Sequence, residues 1–403
     1  MKIAFSPPDI TEAEIAAVGE AMRSGWITTG PKTKQLEHNL EQYLRAQRVV
    51  CLNSATACME LSLRLLGVGE GDEVITSAYT YTASASVAEH VGAKVVLVDC
   101  KPDSVLIDPQ KVAAAITART KAVIPIDIGG VPADYDGIYS AIEGKKHLFS
   151  PNSELQKQLG RVAVIGDCAH SLGAVYKGKN VADMSDFACF SFHAVKNLTT
   201  AEGGAVAFRK IGNVSCEELY KQYMLYSLHG QNKDALAKTQ LGSWEYDIVI
   251  PGYKCNMTDI LAAIGIVQLE RYPDLIKRRV EMVKRYNELF FATGIRPMQH
   301  SGDGFFGSHH AYITNVDGVD ADARNEIIEE MAKNGVSANV HYKPLPMMTA
   351  YKAMGYDIAD FPNAYRHFEN EITMPLHTLL TDAEIDYVAE TAIAALKKIK
   401  GGK

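Results

Sequence analysis

No apolar run in this sequence approaches the roughly 20 residues that a membrane-crossing helix needs. The first ten residues, MKIAFSPPDI, carry no long apolar stretch either, which argues against a signal peptide. The 7 cysteines are scattered without CxxC spacing. That pattern excludes a zinc ribbon or thioredoxin-type pair and fits reduced, packed thiols of a cytoplasmic protein. HExxH is absent, and His309, His310, His341, Tyr342 and His377 show no metal-ligand spacing, so no metal is expected. No basic run stands out and the net charge is −7, which speaks against a nucleic-acid surface. A GxGxxG opening a helix is missing. The nearest approach, Gly67-x-Gly69-x-Gly71, follows a helical pattern and precedes a strand, so it reads as a turn. A nicotinamide-dependent oxidoreductase therefore lacks its loop. GAVYKGKN, 173–180, fits GxxxxGK but has no Ser or Thr for magnesium and no strand feeding it. There is no internal repeat and no low-complexity segment.

What remains is an ordinary globular composition over 403 residues, 47% hydrophobic and 22% charged, enough for a large core and two or three domains. A capping box at Thr11 and Glu14 opens a helix that stops at Ser24-Gly25. Apolar β-rich runs at 49–52, 73–76, 93–98, 122–126, 162–165, 187–192 and 205–208 alternate with helical patterns. That order predicts an α/β fold with a mostly parallel sheet and ligands at the carboxyl ends of its strands. The polar stretch 144–160 reads as a loop insertion. Residues 258–289 read as helical, broken at Pro273. An α+β pattern follows, with a helix at 321–333, a strand at 337–342 and a last helix opened by the capping box Thr381 to Glu384. The expected division is a large domain, 1–268, and a smaller C-terminal α+β domain, 269–403.

Three places carry chemistry. Lys196 sits in SFHAVKNLTTAEGGAVAF, on a polar turn between two apolar runs. Partial burial lowers a lysine pKa, and a neutral amine is a nucleophile able to form a Schiff base; the plain alternative is a solvated surface charge. Asp167 ends a strand in VAVIGDCAHS, where an aspartate is usually a helix cap. Asn53-Ser-Ala-Thr-Ala57 joins a strand to a helix. Its free N–H groups can bind an anion, or Ser54 or Thr56 can simply cap the helix.

The segments SFHAVKN, PGYKCNMTDI and SGWITTGPK resemble the DegT-type sugar-nucleotide aminotransferases, a branch of the fold-type I pyridoxal-phosphate (PLP) enzymes. The resemblance runs from Ser24 to the MPLH at Met374 and is nearest the group making UDP-4-amino-4-deoxy-arabinose. It implies that Lys196 bears PLP and that Thr56, Ala57 and Ser191 hold its phosphate. It places Asp167 at the pyridine nitrogen, His170 beside the ring and Tyr81 on the ring face, where family members often have Trp. Lys254 stands where the family often has an Asn that reaches the neighbouring subunit's phosphate. Trp26, Thr28 and Thr29 fall beside the substrate and the subunit interface, and His310, His341 and Tyr342 along the sugar-nucleotide cleft. Gly166 replaces a common Glu, and Asp127 replaces a His, which puts part of the substrate pocket in question. The implied reaction moves the amino group of glutamate, leaving 2-oxoglutarate, to a UDP- or dTDP-linked keto sugar in amino-sugar biosynthesis for cell-surface polysaccharide or lipid. The implied assembly is a homodimer with shared sites. A dehydratase on the same fold would carry His in place of Lys196, and a non-catalytic regulator would bind PLP without turnover.

Overall fold

A computed structural model describes residues 1–232 and 245–401. Helices α1 (Glu12–Arg23) and α2 (Pro31–Leu44) lead to strand β1 (Arg48–Leu52). Strands and helices then alternate: α3 (Ala55–Leu65), β2 (Glu73–Ser77), α4 (Ala83–His90), β3 (Lys94–Val98), α5 (Pro109–Ala115) and β4 (Thr120–Ile124). Helices α6 (Tyr135–Gly144) and α7 (Glu154–Leu159) precede β5 (Ala163–Asp167). The short strands β6 (Val175–Tyr176) and β7 (Lys179–Asn180) lead to β8 (Phe187–Ser191), β9 (Gly204–Phe208), α8 (Cys216–Ser227) and the long α9 (Asp259–Phe290). The remainder comprises β10 (Ile295–Pro297), β11 (Ser301–Gly302), β12 (Phe305–Phe306), β13 (Tyr312–Val316), α10 (Ala321–Lys333), α11 (Thr349–Ala353), α12 (Pro362–Glu369), β14 (Glu371–Met374) and α13 (Asp382–Gly401).

The expected α/β sheet is present, in the order β1-β9-β8-β5-β4-β2-β3. Strands β3, β2, β4, β5 and β8 run parallel, and β9 is antiparallel to both β8 and β1. Strands β2, β4 and β5 are buried along their whole length, because helices cover both faces. Each accordingly has an unbroken apolar stretch, Val74-Ile75, Ala122 to Ile124 and Ala163 to Ile165, rather than strict alternation. A three-stranded antiparallel sheet, β10-β13-β14, belongs to the C-terminal part. The pattern GAVYKGKN forms the β6–β7 hairpin, which pairs with β12 and cradles no phosphate loop.

Helix α9 joins the two parts. Ala262, Ile266, Leu269, Tyr272 and Leu275 pack in a core with α2, β8 and β9, while Met282, Val283, Tyr286 and Phe290 pack in the C-terminal core with β13 and α13. The expected domain division at 268/269 thus falls inside this helix. Pro273 does not break it, contrary to the sequence reading. A proline inside a helix costs about 3 kcal/mol. Here Pro273 faces outward while Tyr272 and Leu275 are buried, and each fully buried large apolar side chain contributes about 1.5–3 kcal/mol. Packing on both sides of the proline therefore outweighs the missing hydrogen bond.

Two other expectations need correction. Residues 337–342 form no strand. Asn339 bridges Thr373 once, after which the backbone N–H of His341 donates to the Glu371 carboxylate at 2.8 Å instead of continuing the ladder. The stretch 144–160 is not a free loop: it contains α7 and is docked. Ser153 Oγ and Gln156 Nε2 donate to the Leu66 carbonyl at 2.6 and 2.8 Å, which satisfies the end of α3. Lys121 Nζ, buried, donates to the Ser150 carbonyl at 2.6 Å. All seven cysteines are free thiols.

Candidate active site

The carboxyl ends of β2, β4, β5 and β8 open on one edge of the main sheet, where α3 also begins. The register makes them meet. Ser191 at the end of β8 pairs with Gly204, and Gly204 pairs with Leu52, two residues before Ser54. A Cβ on Gly204 would stand 2.4 Å from the Ala55 nitrogen, so only glycine lets the start of α3 lie this close to the sheet. A cavity of about 400 Å³ results, within the usual range for a small-ligand site. Its wall includes Ser54, Thr56, Tyr81, Asp167, His170, Ser191, Lys196, His310, His341 and Tyr342.

Lys196 sits on a turn fixed by backbone bonds, Lys196 N–H to the His193 carbonyl and Thr200 N–H to the Phe192 carbonyl, both 2.9 Å. Burial pulls its amine down to about 8, and the nearby Asp167 carboxylate opposes that fall. A lysine titrating there has a neutral fraction at pH 7 greater by two to three orders of magnitude than an ordinary one. Asp167 is buried at the end of β5, and burial raises its carboxyl above the usual range. Ser84 Oγ donates to it at 2.6 Å and the Ala169 N–H at 3.2 Å. The second bond is the capping contact expected of any strand-end aspartate; the Lys196 charge is not.

The imidazoles are held in defined protonation states. The Gly129 N–H donates to His170 Nδ1 at 3.3 Å, so Nε2 carries the proton and faces the Tyr342 hydroxyl at 3.1 Å. Gly130, at φ 90°, shapes that turn, and a Cβ there would meet the His170 carbonyl at 2.9 Å. His310 lies against His170, ring centroids 4.3 Å apart and planes tilted by 38°. Its Nδ1 lies 2.9 Å from Asn197 Oδ1, and Asn197 Nδ2 donates to the Ser308 carbonyl at 2.8 Å. Burial lowers His170, His310 and His341 below the ordinary histidine range, His341 to about 4. All three are therefore neutral at pH 7.

Other expected residues lie elsewhere. Ala57 is not in the wall, and its N–H is taken by the N-capping Ser54 Oγ at 3.1 Å. Asp127 is fully buried behind His170, where Ser171 Oγ (2.6 Å) and the Ala133 N–H (2.8 Å) donate to it. It supports the turn below the site and does not line the cavity. Trp26, Thr28, Thr29 and Lys254 also lie outside the cavity wall. They form a neighbouring patch: Trp26 Nε1 donates to the Thr29 carbonyl, Thr28 accepts from Asp259 N–H, Thr29 Oγ1 donates to the Met257 carbonyl, and Lys254 touches Asn256. Sequence reasoning missed Phe5 and Ser6, which line the cavity, as well as Ser84 and Asn197. Asn197 stood inside the SFHAVKN motif. Phe5 had no local signal, since its contact with His341 spans more than 330 residues.

The cavity tests well for PLP. Hydroxyls and the start of an eleven-residue helix suit a phosphate, a buried carboxylate suits a pyridinium, and an amine of lowered pKa between them suits an aldehyde. Comparison with known proteins agrees. Residues 8–392 match the model of the DegT/DnrJ/EryC1/StrS aminotransferase family. Spr1654 of Streptococcus pneumoniae, provisionally named a sugar aminotransferase, superposes with a TM-score of 0.96 at 53% identity in its PMP-form, covering 99% of this chain and 100% of that one. Its PLP-form superposes with a TM-score of 0.95 at 51% identity over the same shares. The spore coat polysaccharide biosynthesis protein SpsC of Bacillus subtilis is 36% identical over 96% of this chain and 95% of its own length. PseC of Helicobacter pylori, an aminotransferase involved in pseudoaminic acid biosynthesis, superposes with a TM-score of 0.85 at 25% identity over 99% of this chain and 100% of its own. This chain belongs to the DegT/DnrJ/EryC1/StrS aminotransferase family.

Proposed function

We propose that this enzyme moves the amino group of glutamate to the carbonyl of a UDP- or dTDP-linked keto sugar, with PLP bound at Lys196, in amino-sugar biosynthesis. The observation that carries this reading is the pairing, in one cavity, of a lysine amine of lowered pKa on the turn after β8 with a buried carboxylate at the end of β5. When bound, PLP supplies an electron sink that stabilises negative charge on the carbon next to the transferred nitrogen. Lys196 would hold the cofactor through its amine and would carry protons at Nζ as general acid and base. Asp167, held by Ser84 and Ala169, keeps a proton on the pyridine nitrogen. Ser54, Thr56, Ser191 and the α3 N-terminus hold the phosphate. Ala57 contributes there only through the capped first turn. Tyr81 covers the ring face. His170, His310, His341 and Tyr342 form the polar wall for the sugar.

The reading includes a homodimer in which Trp26, Thr28, Thr29 and Lys254 complete the partner's site. In support, these residues lie outside the wall of their own cavity, and their chain neighbours Ile27 and Tyr253 are exposed. The test is direct. Purified enzyme with PLP is mixed with glutamate, and release of 2-oxoglutarate is followed with the cofactor's change in absorbance. A panel of keto sugar nucleotides is then added. Reversal of the spectral change by one of them is expected; failure of every glutamate half-reaction would sink the proposal.

A further inference from the structure

Behind His341 runs a line of polar contacts that the chemistry above does not use. Glu371 and Thr373 are two apart on β14, so both side chains point to one face of that strand. Both are fully buried. Thr373 Oγ1 donates to Glu371 Oε1 at 2.5 Å, and His341 Nδ1 lies 3.0 Å from Thr373 Oγ1. The backbone N–H of His341 closes the loop onto Glu371 Oε2 at 2.8 Å. The His341 ring also stacks on Phe5, with centroids 5.7 Å apart and planes 19° from parallel. The ring is thus fixed by its face, its Nδ1 and its backbone, and Nε2 is the polar atom left for the cavity that His341 lines.

A hydroxyl has one proton and can donate in one direction only. If Glu371 is ionised, Thr373 must donate to it, and Thr373 then accepts from His341 Nδ1–H. Nε2 is left as a bare acceptor. If Glu371 is protonated on Oε1, it donates to Thr373, and the Thr373 proton turns to His341 Nδ1. Nε2 then carries the hydrogen and is a donor. We propose that Glu371, acting through Thr373, sets whether His341 offers the cavity a donor or an acceptor. The proton count balances: passing from the first state to the second takes up one proton from the cavity at Nε2, moves one from Nδ1 to Thr373 and one from Thr373 to Glu371. This deepens the aminotransferase reading and rests on it for its purpose. Amino transfer brings a carbonyl compound, which needs a donor, and an amino compound, which needs an acceptor, to one site in turn.

Glu371 and His341 sit among charged and titratable groups from several elements. From α10, Arg324 Nη1 donates to the Glu371 backbone carbonyl at 2.9 Å. The Tyr79 hydroxyl, after β2, donates to the His341 carbonyl at 2.9 Å, and Tyr342 is adjacent. Lys196, His170 and His310 face His341 from the cavity. Burial holds the Glu371 carboxyl up at about 8, against the hydrogen bonds from Thr373 and His341 N–H and the Arg324 charge. Its titration therefore falls where His341 is already neutral.

The test reads the ring nitrogens directly. The full-length chain with PLP, labelled with ¹⁵N-histidine, is titrated by NMR from about pH 6 to about pH 10, the range in which the two neutral tautomers can be told apart. His341→Gln identifies the His341 signals. The expected result is Nε2–H at the acid end and Nδ1–H at the alkaline end. Glu371→Gln should hold Nε2–H throughout, since its amide donates to Thr373 at every pH. Thr373→Val should abolish the transition, and Thr373→Ser should restore it. The other histidine signals report whether each variant is folded; if Glu371→Gln is not, the Thr373 pair decides. An unchanged His341 titration in Glu371→Gln or in Thr373→Val would overturn the proposal. No turnover is needed, so this outcome is separate from that of the glutamate half-reaction.

Discussion

Lys196→Met should stabilise the cofactor-free enzyme at neutral pH while abolishing transfer. Lysine ordinarily titrates at 10.5, and burial in the cavity wall takes Lys196 to about 8. The difference, 10.5 − 8, makes its ammonium form costlier by about 3 kcal/mol. That figure already includes the opposing charge of Asp167, and the cavity is open to water, which screens the ammonium, so about 1–2 kcal/mol is the net expectation. The sign follows from proton counts. The folded pKa is below the unfolded one, so between pH 8 and pH 10.5 the unfolded chain holds more protons. Wild-type stability from this group therefore rises with pH through that window and is flat above it. Met is nearly isosteric and has no charge to desolvate. Urea unfolding of both proteins without PLP, at pH 7 and near pH 10.5, measures the difference. The gain from Lys196→Met should be present at pH 7 and shrink towards zero at the higher pH. A variant less stable than wild type at pH 7, or a gain that persists at high pH, would show that the lysine is not held against its charge.

Other substitutions probe the rest of the site. Asp167→Asn should preserve the fold, because the amide oxygen can still accept from the Ala169 N–H while the amide NH2 donates to Ser84 Oγ, a hydroxyl that can accept as well as donate. It should retain PLP but slow the glutamate half-reaction by orders of magnitude in stopped-flow measurement; near-native rates would return Asp167 to the role of a cap. Gly204→Ala pushes a methyl into the Ala55 nitrogen and the Ser54 carbon at 2.4 Å. It should cost about 2–4 kcal/mol of stability, in the range of strained core changes, and weaken PLP binding in fluorescence titration. Lys254→Asn should bind PLP slightly more weakly than the parent and Lys254→Glu much more weakly, because the latter sets like charges together. PLP should also tighten the dimer in sedimentation; parent-like binding by Lys254→Glu would make Lys254 an ordinary surface charge.

Local pattern carried much of this protein. Capping boxes at Thr11–Glu14 and Thr381–Glu384 are formed as read, because every atom they need lies within four residues. The parallel sheet was legible because strands buried on both faces carry unbroken apolar stretches that alternate with helical patterns. Asp167 was legible because it ends an apolar run at a strand end that faces a ligand, and Lys196 because it sits on the polar turn between two apolar runs. Pro273 was misread because local propensity counts only the lost hydrogen bond, whereas two separate cores grip α9 on either side. The strand at 337–342 was misread because a carboxylate 30 residues away takes the N–H that the ladder would have used. Phe5 against His341, Asn197 on His310, Asp127 beneath His170 and Glu371 behind Thr373 were invisible for the same reason. Sequence spacing encodes the period of one element, but the company a side chain keeps across elements is decided by packing of the whole chain.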